Sequence, residues 1–285
     1  MRKTGAFSKV YFVLLFSFLY IPIAVLIVYS FNANKSFGVF TGFTLDWYRR
    51  LFNNSAILSA LGLSAVVALL SSSIATILGT MASVGITRMK KGPRALIMNV
   101  TYMPIVNPEI ITGISLMLLF VAVKGGLQVL GGAEGGALGW LADRIIGFPS
   151  LIISHIAFNV PYVIFNVTPK LRQMDVRLYE AALDLGCNER QAFFKVVLPE
   201  IMPAIISSFL ICLTYSFDDF TISYFNSGNL QTLPIVIYSM TRRNVSPQIN
   251  ALSTILFAAI LSIIIGMNIM ESRQEKKRRR PRSYT

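Results

Sequence analysis

Six long apolar segments constrain this chain more than any other feature of its sequence. A segment of about 18 or more mostly apolar residues can cross the hydrocarbon core of a bilayer, which is roughly 30 Å thick. The segments lie near residues 10–31, 57–86, 96–123, 145–168, 201–225 and 251–270. A composition of 54% apolar residues and a mean hydropathy of +0.62 agree with this. The sequence therefore predicts an all-α integral membrane protein with six transmembrane helices, formed by residues 1–285 as a single domain.

The distribution of basic residues predicts the orientation of these helices. The alternate connecting segments 1–9, 87–95, 170–200 and 271–285 together hold 19 of the 26 Lys and Arg residues. Lys and Arg are concentrated in cytoplasmic loops. Both termini are therefore predicted to be cytoplasmic. The basic tail 271–285 is expected to contact anionic membrane lipid, and no nucleic acid partner is expected.

The first apolar segment resembles a signal peptide only in its basic flank. It is longer than the roughly 7 to 15 apolar residues of a signal peptide, and no small-x-small cleavage site follows it. We therefore expect an uncleaved membrane helix.

Proline and glycine predict where the chain departs from regular helix. In "MPIVNPEI", Pro104 and Pro108 each lack a backbone donor, so the third apolar segment is expected to contain a broken helix facing protein or a wet cavity. The second segment, rich in small residues, is expected to pack closely inside a bundle. The Gly-rich outside segment 124–140 is predicted to be a mobile loop.

Acidic residues within the predicted spans indicate the charge of a transported solute. Ionisable residues inside a membrane are costly and usually functional, and Glu109, Asp218 and Asp219 are all acidic. At about 1.5 Å per residue, Asp218 is expected near the outer mouth and Glu109 roughly mid-membrane. One of the two adjacent aspartates is expected to face the pathway, while the other pairs with a base or caps a helix. A path of this kind suits a cation.

Aromatic residues near these acids are candidates for cation-π contact with such a solute. The pathway is predicted to include Tyr162, Phe217 and Tyr224, and other aromatics nearby are Tyr102, Phe158, Tyr215 and Phe220. His155, the one histidine, is expected to have a hydrogen-bonded packing role rather than to relay protons.

A polar stretch between two apolar segments, "EAALDLGCNERQAFFKVVLP" at 180–199, predicts a cytoplasmic helix-turn-helix. Helix is favoured from Val176 to Cys187, Gly186 can adopt a left-handed conformation, and a second helix is expected from residue 188 or 189 to Leu198, before Pro199. Its apolar face can lie on lipid head groups or on a protein. The acidic residues beside that face favour a protein partner.

The same stretch resembles the EAA loop, here about residues 176–199, of permease subunits of bacterial ABC importers. The matching residues are Glu180, Ala181, Ala182, Gly186, Leu198 and Pro199, with Val196 where Ile is usual. The resemblance implies that this loop docks into a separate ATPase subunit and couples its closure to the membrane helices. The chain contains no Gly-Lys dipeptide, hence no phosphate-binding loop. It is therefore expected to be a transport subunit and not an enzyme.

The resemblance continues over nearly the whole chain to PotC-type permeases of spermidine/putrescine importers, in stretches such as "NPEIITGISL", "SHIAFNVPY" and "YSFDDFTISYF". It implies a type I ABC importer permease fold in the bacterial cytoplasmic (inner) membrane, crossing it several times. The implied partners are a PotB-type second permease, two copies of a PotA-type ATP-binding subunit and a PotD-type extracytoplasmic polyamine-binding protein. No cofactor is expected on this chain, since ATP and Mg would be bound by the partner ATPase.

Alternatives remain open at this level. The same machine could carry another cation or small solute, such as Fe3+ or thiamine, whereas an anion is disfavoured because no basic residue lies deep within a predicted span. A secondary transporter would not need the cytoplasmic element. An intramembrane protease is disfavoured, because zinc proteolysis needs two histidines and "SHIAF" offers no catalytic dyad. Cys187 and Cys212 suggest neither a disulfide nor a metal site.

Overall fold

A computed structural model of the chain describes residues 6–34, 39–131, 137–243 and 247–278. Within these ranges the regular structure is helical, apart from an isolated β-bridge between Asn32 and Phe43. The helices are α1 (Ala6–Ser30), α2 (Asp46–Phe52), α3 (Ser55–Arg88), α4 (Lys91–Val106), α5 (Glu109–Gly131), α6 (Ala137–Ile145), α7 (Phe148–Gln173), α8 (Val176–Asp184), α9 (Glu189–Ala192), a π-helical turn (Phe193–Val197), α10 (Leu198–Asp218), α11 (Thr221–Asn226), α12 (Leu233–Arg243) and α13 (Pro247–Arg278). The all-α prediction is confirmed for the described residues.

Five helical stretches among the described residues are long and apolar enough to span a membrane. They are Lys9–Ser30, Ser55–Arg88, Glu109–Leu130, Phe148–Gln173 and Glu189–Asp218. The predicted sixth segment lies within α13, and half of the side chains of this helix lie outside the described part of the structure. The sixth span therefore stays a prediction.

The third apolar segment, predicted at 96–123, is divided between two helices, α4 and α5. α4 ends at Val106, Asn107 is extended (φ −72°, ψ 142°), and the spanning helix begins only at Glu109. The cause is Pro108, which lacks a backbone donor and disfavours helix at the residue before it. Pro104, by contrast, lies inside α4. The predicted break is confirmed at one of the two prolines.

The Gly-rich segment 124–140 is largely helical, so the prediction of a mobile loop was wrong for most of it. α5 continues through Gly125 and Gly126 to Gly131, and α6 begins at Ala137. The residues between them, 132–136, lie outside the described ranges. α6 packs against α5, and such tertiary contact outweighs a helix-propensity deficit of roughly 1 kcal/mol per glycine.

The described chain divides into two compact units. One contains the residues up to Leu58 and those from Ile237 onward, where α13 packs against α1 and α2. In this unit the Trp47 indole donates a 2.7 Å hydrogen bond to the carbonyl of Asn32. The other unit spans Ser59–Val236 and contains the candidate site residues.

The core of the larger unit lies between α7 and α10, where Val163, Val167, Ile201 and Cys212 are fully buried. α3 packs against this core through small residues. A Cβ atom placed on Gly79 would lie 2.6 Å from Cβ of Val163, closer than real Cβ atoms approach. The predicted packing role of the small-residue segment is therefore confirmed at this contact.

We predict that Gly79→Ala lowers the stability of the detergent-purified protein. Overpacking of a well-filled core costs about 1–3 kcal/mol, and the neighbouring Val163 is branched at the clashing atom. Gly85→Ala on the same helix is the matched control, because a Cβ there meets open space. The measurement is the thermal unfolding midpoint of the two variants and of the wild-type protein. An equal midpoint for Gly79→Ala and Gly85→Ala would contradict the close contact.

Candidate functional site

The fifth apolar segment is interrupted near its C-terminal end by an aspartate that caps a new helix. α10 ends at Asp218, Asp219 is extended (φ −64°, ψ 119°), and α11 begins at Thr221. The carboxylate of Asp219 accepts hydrogen bonds from the backbone N–H groups of Ile222 (3.1 Å) and Ser223 (2.7 Å). The two aspartates therefore have different surroundings, because Asp219 is only 8% exposed whereas Asp218 is exposed.

A pocket of about 310 Å³ lies beside this break. Its lining residues are Glu109, Phe158, Tyr215, Asp218, Asp219, Phe220 and Thr221. Glu109 reaches the pocket because α5 begins there, directly after the break at Pro108. The sequence placed Glu109 and Asp218 at different depths, whereas the structure places both in one pocket. Their depths in the membrane stay a prediction.

The lining of the pocket combines acidic and aromatic side chains. Three of its lining residues are acidic and three are aromatic, and none is Lys or Arg. Carboxylates concentrated in a pocket with low-dielectric walls create a negative potential that attracts cations. Aromatic faces can hold ammonium groups and cover methylene groups. This arrangement can bind an extended organic cation.

The aromatic residues that line the pocket are not the three that the sequence predicted for the pathway. Phe158 and Tyr215 line the pocket, and Tyr162 packs edge-on against them, with ring centroids 5.2 Å and 5.0 Å away. Phe220 also lines the pocket, with Tyr224 at 5.3 Å from it. Tyr162, Tyr224 and Phe217 are not lining residues.

Thr221 is a lining residue that the sequence reasoning missed. It lies there because α11 begins at this position, and its only signal was its place directly after the acidic pair and Phe220.

His155 on α7 is fully buried behind the capped break. Its Nε2 atom lies 3.1 Å from Oγ of Ser223 and 3.7 Å from Oδ2 of Asp219. The predicted hydrogen-bonded packing role of this histidine is confirmed by the Ser223 contact.

At the other end of α10, the helix-turn-helix that the sequence predicts is formed. Gly186 has φ +87°, and its N–H donates to the carbonyl of Leu183 (2.9 Å) while Cys187 N–H donates to that of Ala182 (3.0 Å). This is a glycine-terminated helix end. Asn188 then caps α9, since its side chain accepts from Gln191 N–H at 2.8 Å.

The second helix of this hairpin does not end at Leu198 as predicted. Glu189–Asp218 forms one helical stretch that contains a π-helical turn at Phe193–Val197. Pro199 lies in the first turn of α10, directly after the π turn. A π turn shifts the hydrogen-bond ladder by one residue, and a proline at a helix start removes a donor that has little use there.

The hairpin presents a mixture of buried and exposed residues. Ala182 is buried, whereas Glu180 and Ala181 are exposed. The exposed apolar side chains of this element include Leu185, at 86% exposure, and Phe194. A Cβ on Gly186 would meet open space, so its conformation, and not crowding, is what requires glycine there.

The long apolar helices, the acidic and aromatic pocket and the polar hairpin together define a membrane transport protein. A family model described as "Binding-protein-dependent transport system inner membrane component" matches residues 75–280. The chain belongs to this family, and it is the membrane permease subunit of an importer.

Relatives resemble the chain over most of its length. The putrescine transport system permease protein PotI of Escherichia coli (strain K12) is 39% identical over 266 residues, covering 92% of this chain and 90% of that protein. The spermidine/putrescine transport system permease protein PotC of the same strain is 36% identical over 258 residues, covering 90% of each.

Solved structures support the fold. The chain is similar to a bacterial alginate ABC transporter in complex with a periplasmic protein, with a TM-score of 0.69 and 18% identity over 94% of this chain and 93% of that chain. The MetNI methionine ABC transporter is similar with a TM-score of 0.54 and 16% identity over 77% of this chain and 95% of that chain. At these identities the likeness concerns the fold, which is that of ABC importer permeases.

Proposed function

We propose that this chain forms one half of the membrane pathway of an ATP-driven polyamine importer. The observation that carries the proposal is the acidic and aromatic pocket formed by two helix breaks, which Glu109, Asp218 and Asp219 line together. The names of the relatives at 36–39% identity support the same cargo class, since they are putrescine and spermidine/putrescine permeases.

Polyamines match both chemical features of this pocket. Putrescine and spermidine carry ammonium groups separated by methylene chains, so carboxylates pair with their charges and aromatic rings cover their apolar parts. In this proposal Glu109 and Asp218 contact the ammonium groups. Tyr162 and Tyr224 support the lining rings from behind. A compact cation such as Fe3+ would make no use of the aromatic wall, and thiamine remains an alternative for the test.

The proposed topology is of the type I importer class. The sixth span is residues 251–270, both termini are cytoplasmic, and residues 1–285 act as a single permease domain in the bacterial inner membrane. The charge distribution, with 19 of 26 basic residues in the alternate segments, supports this orientation.

The proposed energy source is a separate ATPase that receives the cytoplasmic hairpin. Glu180, Ala181, Ala182, Gly186, Leu198 and Pro199 would form the docking element, and its exposed Leu185 and Phe194 support a protein partner. ATP and Mg would be bound by that partner. The complete assembly would hold a second permease, two ATP-binding subunits and an extracytoplasmic polyamine-binding protein.

We predict that Asp218→Asn and Glu109→Gln each lower putrescine uptake by about tenfold or more, since a hydrogen bond to a charged group contributes roughly 1.5–3 kcal/mol. The measurement is the initial uptake rate of the assembled complex in proteoliposomes. Asp143→Asn is the matched control, because Asp143 is exposed on α6 and is not a lining residue of the pocket. Normal uptake by the Asp218→Asn, Glu109→Gln double variant would refute the cation pathway. If the double variant lost thiamine uptake but kept normal polyamine uptake, polyamines would be refuted as the cargo class.

We predict that Gly186→Asn retains more ATP-dependent uptake than Gly186→Val. A left-handed conformation costs an ordinary residue about 1–2 kcal/mol and a β-branched residue most, whereas Asn tolerates it. Both side chains enter open space, so bulk alone does not separate the two variants. Uptake is measured alongside copurification of the ATPase. Wild-type uptake by Gly186→Val in an intact complex would refute the coupling role.

A further inference from the structure

The two adjacent aspartates at the end of α10 differ in the contacts that their carboxylates make. Asp218 is exposed and lines the pocket, while Asp219 uses one oxygen for Ile222 N–H and the other for Ser223 N–H. A carboxylate with both oxygens engaged by backbone donors is held in a fixed position. Its charge is directed mainly at the start of α11, and only 8% of the residue is exposed.

The short helix α11 is held by side chains at both of its ends. At its start, Ser223 lies 3.1 Å from His155 Nε2 on α7. At its end, the Asn226 side chain donates to the carbonyl of Gly113 on α5 (3.1 Å), and the Ser150 hydroxyl donates to the carbonyl of Asn226 (2.6 Å). Six helical residues have little stability alone, so these contacts determine where α11 lies.

We propose that Asp219, His155 and Ser223 form a positioning cluster that fixes the helix break and thereby directs Asp218 into the pocket. Asp219 is then a positioning residue and not a cargo ligand. The inference rests on the proposed function in one respect, namely that Asp218 contacts the cationic cargo. The geometric part concerns only the orientation of Asp218 and is independent of cargo.

The cap also pairs backbone donors beside the pocket. The first N–H groups of α11 have no partners within that helix, and Thr221, where it begins, is a lining residue. Asp219 occupies two of those donors. The capped break therefore presents carboxylate to the pocket instead of backbone N–H.

The test measures the accessibility of position 218 directly. Cys187 and Cys212 are the only two cysteines of the chain, so replacing both with Ser gives a background for single reporter cysteines. Asp218→Cys is the reporter, and Glu109→Cys, a lining residue of the same pocket at the start of α5, is the matched control reporter. A neutral, membrane-impermeant thiol reagent is applied to the purified complex without polyamine. The reagent is neutral so that the labelling rate does not depend directly on the charge that Asp219→Ala removes.

We predict that Asp219→Ala, Ser223→Ala and His155→Ala each change the labelling rate at Asp218→Cys by about fivefold or more, the scale expected for losing an N-cap. The rate at Glu109→Cys is expected to stay within about twofold. Asp219→Asn keeps one acceptor oxygen and His155→Gln keeps a nitrogen near the Nε2 position, so both are expected to restore most of the wild-type rate.

Three outcomes would overturn the proposal. They are unchanged labelling at Asp218→Cys, equal changes at both reporters, and no restoration by either conservative variant. Equal changes would show general loss of structure. If the labelling results are as expected while Asp218→Asn transports putrescine normally, the positioning cluster stands and the cargo role of Asp218 is wrong.

Discussion

The constraint on which this structure depends is that a membrane-spanning chain must satisfy its backbone hydrogen bonds without help from water. A helix can therefore be broken at membrane depth only where protein groups or a wet cavity accept the freed donors and acceptors. In this chain, breaks at Asn107–Pro108 and at Asp219–Phe220 lie beside the same pocket. The second break is satisfied by the carboxylate of Asp219. The carboxylate of Asp219, which stabilises the broken helix, is thus also one of the carboxylates that make the pocket acidic.

α7 supports this arrangement through a row of buried polar side chains. Asn159 donates a 2.6 Å hydrogen bond to Ser216, and Ser71 on α3 donates to the same Ser216 hydroxyl at 3.1 Å. One turn further along α7, His155 meets Ser223 on α11. A buried polar group without a partner costs roughly 1–3 kcal/mol, so sliding α10 along α7 by a turn is disfavoured. Polar contacts therefore fix the register of an interface that apolar packing alone would leave loosely specified.

Different parts of the molecule were predictable from sequence to different degrees, for identifiable physical reasons. Hydropathy over 18-residue windows depends on composition alone, so the spans that correspond to α1, α3 and α7 were placed to within about five residues. The predicted fifth segment, 201–225, instead runs past the end of α10 at Asp218. The turn at Gly186 was also predictable, because a positive φ is a local backbone conformation that glycine adopts more readily than other residues. Three prolines were expected to mark helix ends: Pro104, Pro108 and Pro199. Of these three, Pro108 ends a helix, while the other two lie within helical stretches. That choice depends on neighbouring helices and on a π turn, which a local pattern does not contain.

The pocket was predictable in chemistry but not in geometry. The acidic residues were evident because charge is rare in these spans, yet their convergence depends on two breaks more than 100 residues apart in the chain. The aromatic lining shows the same limit. Phe158 and Tyr215 line the pocket, whereas Tyr162, one turn after Phe158 on α7, packs against both rings without lining it, and only tertiary packing makes this distinction.

The continuity of Glu189–Asp218 gives the proposed coupling a direct physical route. One helical stretch carries the second half of the hairpin at its start and Asp218 at its end, about 30 residues and roughly 45 Å away. Glu109 begins a different helix, α5. In the proposed mechanism, a displacement of the hairpin along this stretch would move Asp218 relative to Glu109 and change how well the two carboxylates can share one cation. Because a motor can bias a bundle only through contacts that differ between its states, this change in carboxylate spacing would supply the difference in cargo affinity that the proposed coupling requires.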